Sequence, residues 1–177
     1  MSPGEHVEID GSHGEGGGQL LRTAIALSAI TGKTAHIRNI RGGRPNPGMQ
    51  AQHLKGVEAV AALCEARLDG AQMGSTHLTF EPGEIKPCGI KVDIGTAGAS
   101  TLVLQALVLA AGRSDGSTAV EIVGGTHVAW SPPVDYFRDV FSYHLRKIGI
   151  EVSLKVHRHG FYPRGGGRIE AQVKGKS

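Results

Sequence analysis

Apolar residues in this chain follow two periods that take turns, every second position in short stretches and every third or fourth in longer ones. Residues 6–10, His-Val-Glu-Ile-Asp, predict a strand ending at Gly11. Gln19 to Ile30 predicts a helix that is apolar nearly all round and therefore buried. Thr34 to Ile40 predicts a strand, and Gly48 to Glu65 an amphipathic helix with Leu54, Val57, Ala61 and Cys64 at helical spacing. Short strands come next near Ala66–Leu68 and His77–Phe80, with a turn at Glu81-Pro82-Gly83. The second half runs the same way. Ile90–Ile94 predicts a strand, Ala99–Ala111 an apolar helix and Thr118–Val123 a strand. Val134–Ile148 predicts a helix with Phe137, Val140, Phe141, Leu145 and Ile148 on one face. Val152–Val156 and Arg168–Val173 predict the last two strands.

The two halves align at a steady offset. Ile9-Asp10-Gly11 matches Asp93-Ile94-Gly95 at 84 positions, and Cys64-Glu65-Ala66 matches Gly149-Ile150-Glu151 at 85. A fixed offset marks duplicated units. The expected fold is α+β (α/β-like), with tandem β-α-β-α-β-β repeats over 1–84 and 85–177. Each repeat is an open four-stranded sheet with two helices on one face, because right-handed crossovers put both helices on the same side.

Composition narrows the class. Nineteen Lys+Arg against 16 Asp+Glu leave +3, and the pI near 9.0 permits an anionic partner without proving one. Forty per cent hydrophobic content excludes wholesale disorder. Glycine stands at 27 of 177, well above its usual share of roughly 7%, and has no collagen period. Cys64 and Cys88 have no partner at metal-ligand spacing, which points to reduced thiols. The apolar run Leu102–Ala111 is too short for a membrane span, and the start of the chain lacks a signal-peptide pattern, so a cytoplasmic protein is expected.

Four loops leave the C-terminal ends of strands, where open α/β sheets bind ligands. The first, Gly11–Gly18, opens a helix with three successive glycines. That suits backbone amides cradling an anion, or simply a tight turn packing helix on sheet. Glu15 suits a divalent metal, a ribose hydroxyl or the helix N-terminus, and Arg22 is an aimed guanidinium or a surface residue. In the second loop, Arg41 and Arg44 flank two glycines, and Pro45 and Pro47 stiffen the approach to the helix, an arrangement suited to phosphate recognition; Gln52 and His53 come next. The third loop, Gly95–Ser100, leads to Gln105, the lone strong polar group of an apolar helix, whose partner is a ligand or backbone. The fourth holds Trp130, Ser131, Pro132, Pro133 and then Tyr136, an apolar wall for a base or an ordinary Pro-started helix. His6, His36, His77 and His157 sit singly in strands, and His13, His53, His127 and His159 lie in or near Gly-rich loops without zinc-ligand spacing.

Three stretches resemble the RNA 3′-terminal phosphate cyclases: Asp10 to Arg22; Ile40 to Gly48 with Gln52-His53-Leu54; and His159-Gly-Phe-Tyr-Pro-Arg-Gly-Gly-Gly-Arg-Ile169. The resemblance covers His6 to Val173. It implies conversion of an RNA 3′-phosphate to a 2′,3′-cyclic phosphate through adenylylated intermediates, with ATP and a divalent metal, Mg or Mn. It implies Glu15 at the metal, and Arg22, Arg41, Arg44 and Gln52 on phosphates of ATP or of the RNA end. Gln105, Pro132 and Tyr136 would line the nucleotide pocket. The family fold has three such repeats and a small inserted domain.

Family members are roughly twice this length, so the third repeat, the inserted domain and the nucleophilic histidine are expected outside these residues, and no catalytic nucleophile is assigned here. A two-repeat piece should expose an apolar face and self-associate or meet a complementing C-terminal half. Two other readings are a non-catalytic, cyclase-like RNA-binding protein of ribosome assembly and an enolpyruvyl transferase. The His159–Ile169 stretch speaks against the latter.

Overall fold

The computed structural model describes residues 6–175; residues 1–5 and 176–177, the outer ends of the two expected repeats, lie outside it. The first unit holds β1 (His6–Asp10), α1 (Gly18–Thr31), β2 (Thr34–Arg38), α2 (Ala51–Cys64), β3 (Arg67–Asp69) and β4 (Leu78–Glu81). The second holds β5 (Gly89–Asp93), α3 (Ser100–Ala111), β6 (Ser117–Gly124), a fourth helix, β7 (Ile150–Arg158) and β8 (Gly167–Gly175). That fourth helix, α4, joins Val134–Tyr136, a π-helical stretch Phe137–Phe141, and Ser142–Lys147.

Both sheets are open and four-stranded, ordered β1-β2-β4-β3 and β5-β6-β8-β7. In each, the first two strands run parallel and the hairpin strands antiparallel, giving the tandem β-α-β-α-β-β architecture expected from the sequence. Side chains of β5 alternate between exposed and buried, so one sheet face meets the helices and the other meets water. Gly32 ends α1 in the left-handed region at φ 71°, its N–H returning to the Ser28 carbonyl.

The helices unite the halves. One hydrophobic cluster runs through both units, from Leu21 and Ile25 of α1 to Ile122 and Val173 of the second sheet. Helix α3 packs on both α1 and α2, and Leu104, Leu107 and Val108 are fully buried. No described helix is long and apolar enough to cross a membrane.

Three expectations need correction. Helix α2 starts at Ala51 rather than Gly48, because Met49 pairs through its backbone with Ser75 and Gly74 and holds the preceding residues as loop. Helix α1 is not buried all round: Thr23 and Leu27 face solvent. On α4, Phe137 and Leu145 are buried and Phe141 partly so, but Val140 and Ile148 are exposed. The π stretch, with its extra residue per turn, turns Val140 away from the face of Phe137, and Ile148 lies beyond the last helical residue, Lys147.

The same extra residue refines the repeat. The starts of β2 and β6, and of α2 and α4, stand 83 residues apart. Beyond the π stretch the left-handed residues that end the helices, Glu65 and Gly149, stand 84 apart. The first strands also align at 83, Asp10 with Asp93, because each carboxylate accepts the N–H two residues on, from Ser12 and Gly95.

Leu107→Ala should cost about 2–5 kcal/mol of unfolding free energy. Because α3 belongs to the core of both units, urea denaturation should still show one transition; two separated transitions would mean that the units fold independently.

Candidate functional site

The first two loops meet backbone to backbone. A Cβ on Gly16 would stand 2.5 Å from the Gly43 nitrogen, so only glycine permits this approach. The Asp10 carboxylate fastens the base of both loops, accepting from the Ser12 hydroxyl at 2.6 Å, the Ser12 N–H at 3.0 Å and the Asn39 amide at 3.1 Å. Those bonds, led by the Ser12 hydroxyl, hold its pKa at about 2.

Between these loops and the first turns of α1 and α2 lies a cleft of about 780 Å³. The glycine-rich loop, Arg22, Arg41, Arg44, Gln52 and His53 line it, with Leu102 and Trp130 arriving from the second unit. Four of the residues expected at phosphates, and Glu15, are therefore brought together.

Their states differ. Arg22 is partly buried in the cleft wall, and among the described residues none gives its guanidinium a hydrogen bond or an ion pair. Desolvation pulls its pKa down. Arg41, in the left-handed region at φ 56°, spends Nη1 on the carbonyls of Asn46 and Gly48 and so shapes its own loop. Its pKa is also lowered, by desolvation and then by Arg44. Arg44 lies 3.4 Å from Glu15 across the mouth. Gln52 accepts the Ala99 N–H at 2.8 Å through Oε1, which ties α2 to the start of α3 and leaves its NH₂ free for the cleft.

His53 lies beneath the glycine loop, and a Cβ on Gly18 would collide with its Nε2. The Gln50 N–H donates to Nδ1 at 3.2 Å, so the neutral ring carries its proton on Nε2. Burial, then Arg41, then Arg22 lower the His53 pKa to about 4. The cleft thus presents a neutral donor between cations.

Gln105, Pro132 and Tyr136 do not line this cleft. Gln105 is partly exposed in a small groove with Thr23 and Leu109, which shares Gln19 and Arg22 with the main cleft. Its amide has neither backbone nor side-chain partner among the described residues, so the expected backbone partner is not found. The Pro132 carbonyl accepts from Thr101 one turn before Gln105 on α3, and Tyr136 is half exposed one turn further along the chain from Pro132. Trp130, read from the sequence with its prolines as an apolar wall for a base or an ordinary Pro-started helix, does reach the cleft. His53 was given no role from the sequence and was signalled only by its place beside Gln52; His13, Gln19, Leu20 and Leu102 also line the cleft without a role read from sequence.

The cleft fits phosphate. Its glycines form a cradle that side chains would fill, the amides at the start of α1 point into it, and its lining carries three arginines against one carboxylate, Glu15. For a divalent metal the protein offers that single exposed carboxylate, and no group of three or more His, Cys, Asp or Glu converges among the described residues. This donor set fits a magnesium-type ion that arrives with phosphate oxygens and keeps its waters.

His53 makes stability depend on pH. The unfolded ring takes up a proton near pH 6.5 and the folded one only near 4, so stability is complete above 6.5 and falls as pH drops toward 4. The loss is on the order of 3 kcal/mol. Urea denaturation of the parent and His53→Gln should diverge in that window, with the variant showing the flatter profile.

Known proteins are similar over nearly all of the chain. The family model described as RNA 3′-terminal phosphate cyclase matches residues 13–177. The chain is 55% identical over 170 residues to the RNA 3′-terminal phosphate cyclase of Thermococcus kodakarensis, covering 96% of this chain and 49% of that protein. It is 55% identical over 168 residues to that of Pyrococcus furiosus (95% and 49%) and 50% identical over 168 to that of Archaeoglobus fulgidus (95% and 51%). The chain spans about half the length of these relatives.

Proposed function

We propose a function from one premise: the chain belongs to the RNA 3′-terminal phosphate cyclase family. In this reading it is the phosphate-holding half of an enzyme that converts an RNA 3′-phosphate to a 2′,3′-cyclic phosphate. The observation that carries it is Arg22, drawn out of water in a cleft whose lining has one carboxylate, itself turned to Arg44. A partly buried cation without a partner is costly, and an anion offsets the cost.

ATP, when bound, would supply an adenylyl group to the 3′-phosphate with loss of diphosphate, so that the neighbouring 2′-hydroxyl can attack that phosphorus with AMP as the leaving group. This chain's residues hold and orient. The glycine-loop amides and the positive end of α1 take phosphate oxygens. Arg22 offers its full fork, and Arg41 the N–H groups its loop leaves free. The Gln52 NH₂ and the protonated Nε2 of His53 add neutral donors. Glu15, now beside Arg44, would hold a Mg or Mn ion, which would supply charge neutralisation to phosphate oxygens, and Arg44 would be left to pair with phosphate.

No nucleophile is assigned within the chain. In the neutral His53 the proton is on Nε2 and Nδ1 is engaged, while His127 is held by Asp135 at 2.9 Å and Thr126 at 3.0 Å. His13 is the cleft histidine whose ring makes no bond among the described residues. Incubation with α-labelled ATP and a divalent metal should therefore leave no covalent label on this chain. An acid-labile label would place the nucleophile here, and His13→Ala would be the first variant to examine.

The remaining half of the enzyme, or a second copy, would cover exposed apolar residues on the helices: Leu27 of α1, and Val140 and Tyr143 of α4 with the adjoining Ile148. Sedimentation should show association that grows with concentration, and a strict monomer would remove the second copy from consideration.

Arg22→Ala should weaken binding of 3′-phosphorylated RNA by roughly ten- to a hundredfold while leaving 3′-hydroxyl RNA nearly unchanged. Affinity should fall steeply with salt. Equal binding of the two RNA ends by the parent chain would overturn end recognition and leave a plain RNA-binding protein.

A further inference from the structure

We propose that Trp130, Phe161 and Tyr162 form a stacking platform for unpaired bases of single-stranded RNA just upstream of the end held in the cleft. The inference rests on the RNA reading of that cleft and adds the part of the substrate that the arginines do not reach.

The three rings are unusually open to water: Trp130 is 99% exposed, Tyr162 82% and Phe161 57%. The backbone carrying Trp130 and the ring of Phe161 are also held in place. Trp130 sits in the left-handed region at φ 65°. Before it, the Val128 carbonyl accepts from the Ser131 hydroxyl at 2.9 Å; after it, the Pro132 carbonyl accepts from Thr101 at 2.9 Å. A non-glycine residue held in that region, with a large side chain turned out to solvent, costs free energy that local packing does not return. Phe161 is bridged through its backbone to His127 and to Gly165, whose N–H donates to its carbonyl at 2.7 Å. Its ring stacks on the His127 imidazole with centroids 5.5 Å apart, and Asp135 and Thr126 hold that imidazole in turn. Rigid, exposed aromatic faces are what sequence-tolerant base stacking uses.

The platform adjoins the cleft. Trp130 lines it together with Arg44 and Gln52. The fourth loop is joined to the β7–β8 hairpin by the Thr126 N–H on the Gly160 carbonyl at 2.8 Å and the Gly160 N–H on the Thr126 hydroxyl at 2.9 Å. Gly165 presses on the backbone of Thr96 and Ala97, two residues from the Ala99 amide that Gln52 accepts. A strand leaving the cleft past Trp130 therefore passes toward this hairpin.

Chemistry selects RNA over a protein partner. Arg164, on the hairpin between the aromatics and the glycines, is exposed and has no ion pair or hydrogen bond among the described residues. His159 lies 5.1 Å from His127, centroid to centroid. The exposed large hydrophobics of residues 125–133 and 159–167 are all aromatic, whereas the exposed aliphatic ones lie elsewhere: Leu27, Val140 and Ile148 on or beside the helices, Val7 on β1 and Met73 between β3 and β4. Aromatics interleaved with unpaired cations match nucleobases and phosphates.

The sole tryptophan makes the test direct. The 177-residue chain is titrated, with Trp130 emission monitored, against a 3′-phosphorylated oligoadenylate of about eight nucleotides, within the span such platforms cover, and against one with abasic sugars upstream of its last nucleotide. The base-bearing RNA should quench Trp130 saturably and bind roughly tenfold more tightly for each stack formed. Phe161→Ala and Tyr162→Ala should each remove about that factor for the base-bearing RNA and change nothing for the abasic one. Equal affinities with unmoved emission, while Arg22→Ala still weakens binding, would overturn the platform and leave the cleft reading standing. No binding of either RNA would overturn both. Aromatic variants that bind RNA normally but sediment differently would assign the rings to a protein contact and overturn the platform.

Discussion

A guanidinium drawn partly out of water with no carboxylate to meet it is the constraint around which the cleft is built. Arg22 sits one turn into α1, in a cleft wall whose one acidic side chain, Glu15, belongs to Arg44. Such an arrangement persists only where the surroundings hold it, and here they are rigid on every side. Leu21 and Ile25 on the same helix are locked in the core, the glycine loop is pressed on the second loop at Gly16 and Gly43, and Arg41 is tied to its own loop carbonyls. Even the titratable neighbour has been neutralised, since His53 protonates only near pH 4. The protein thus keeps its cations apart and its donors aimed before an anion arrives, which reduces the reorganisation that binding requires.

The second unit is part of this rigidity. The Ala99 amide at the start of α3 donates to Gln52, a residue of the cleft. That bond satisfies a helix-end N–H that the helix itself cannot, and it fixes Gln52 so that only its NH₂ faces the ligand. Helix α3 then continues between α1 and α2 with almost no exposed surface. The cleft is consequently a product of both repeats, although its charged groups come from the first.

Much of this was legible in the residues. Strand alternation, the paired glycine-rich turns and the near-constant offset between halves predicted the topology, because they are local signals that tertiary packing did not override. Arg41 and Arg44 were legible as site residues because two cations beside two glycines and two prolines stand at the end of a strand, but that Arg41 also holds its own loop through the Asn46 and Gly48 carbonyls was not. The π stretch of α4 was not legible: one inserted residue leaves hydrophobic spacing intact by eye yet turns Val140 to solvent. The path of residues 48–50 was also hidden, because it is set by pairing with Gly74 and Ser75, far along the chain. Gln105, Pro132 and Tyr136 carried a pocket expectation, but their separation from the arginine cleft depends on how α3 lies against α1, which no local pattern encodes.

The duplication explains why charge and aromaticity fall in different halves. Both units send two loops from the carboxyl ends of their first two strands, but only the first fills them with arginines. In the second unit the equivalent loops hold small residues at 95–100 and a tryptophan with prolines at 128–133. Both sets open toward the same cleft, because α3 brings the second unit's loops against Gln52. In the proposed reading, two copies of one fold would serve as a holder for phosphate and a holder for flat apolar groups, arranged side by side. An RNA end offers the same pairing, a phosphate next to bases, and a single unit could present only one of the two surfaces.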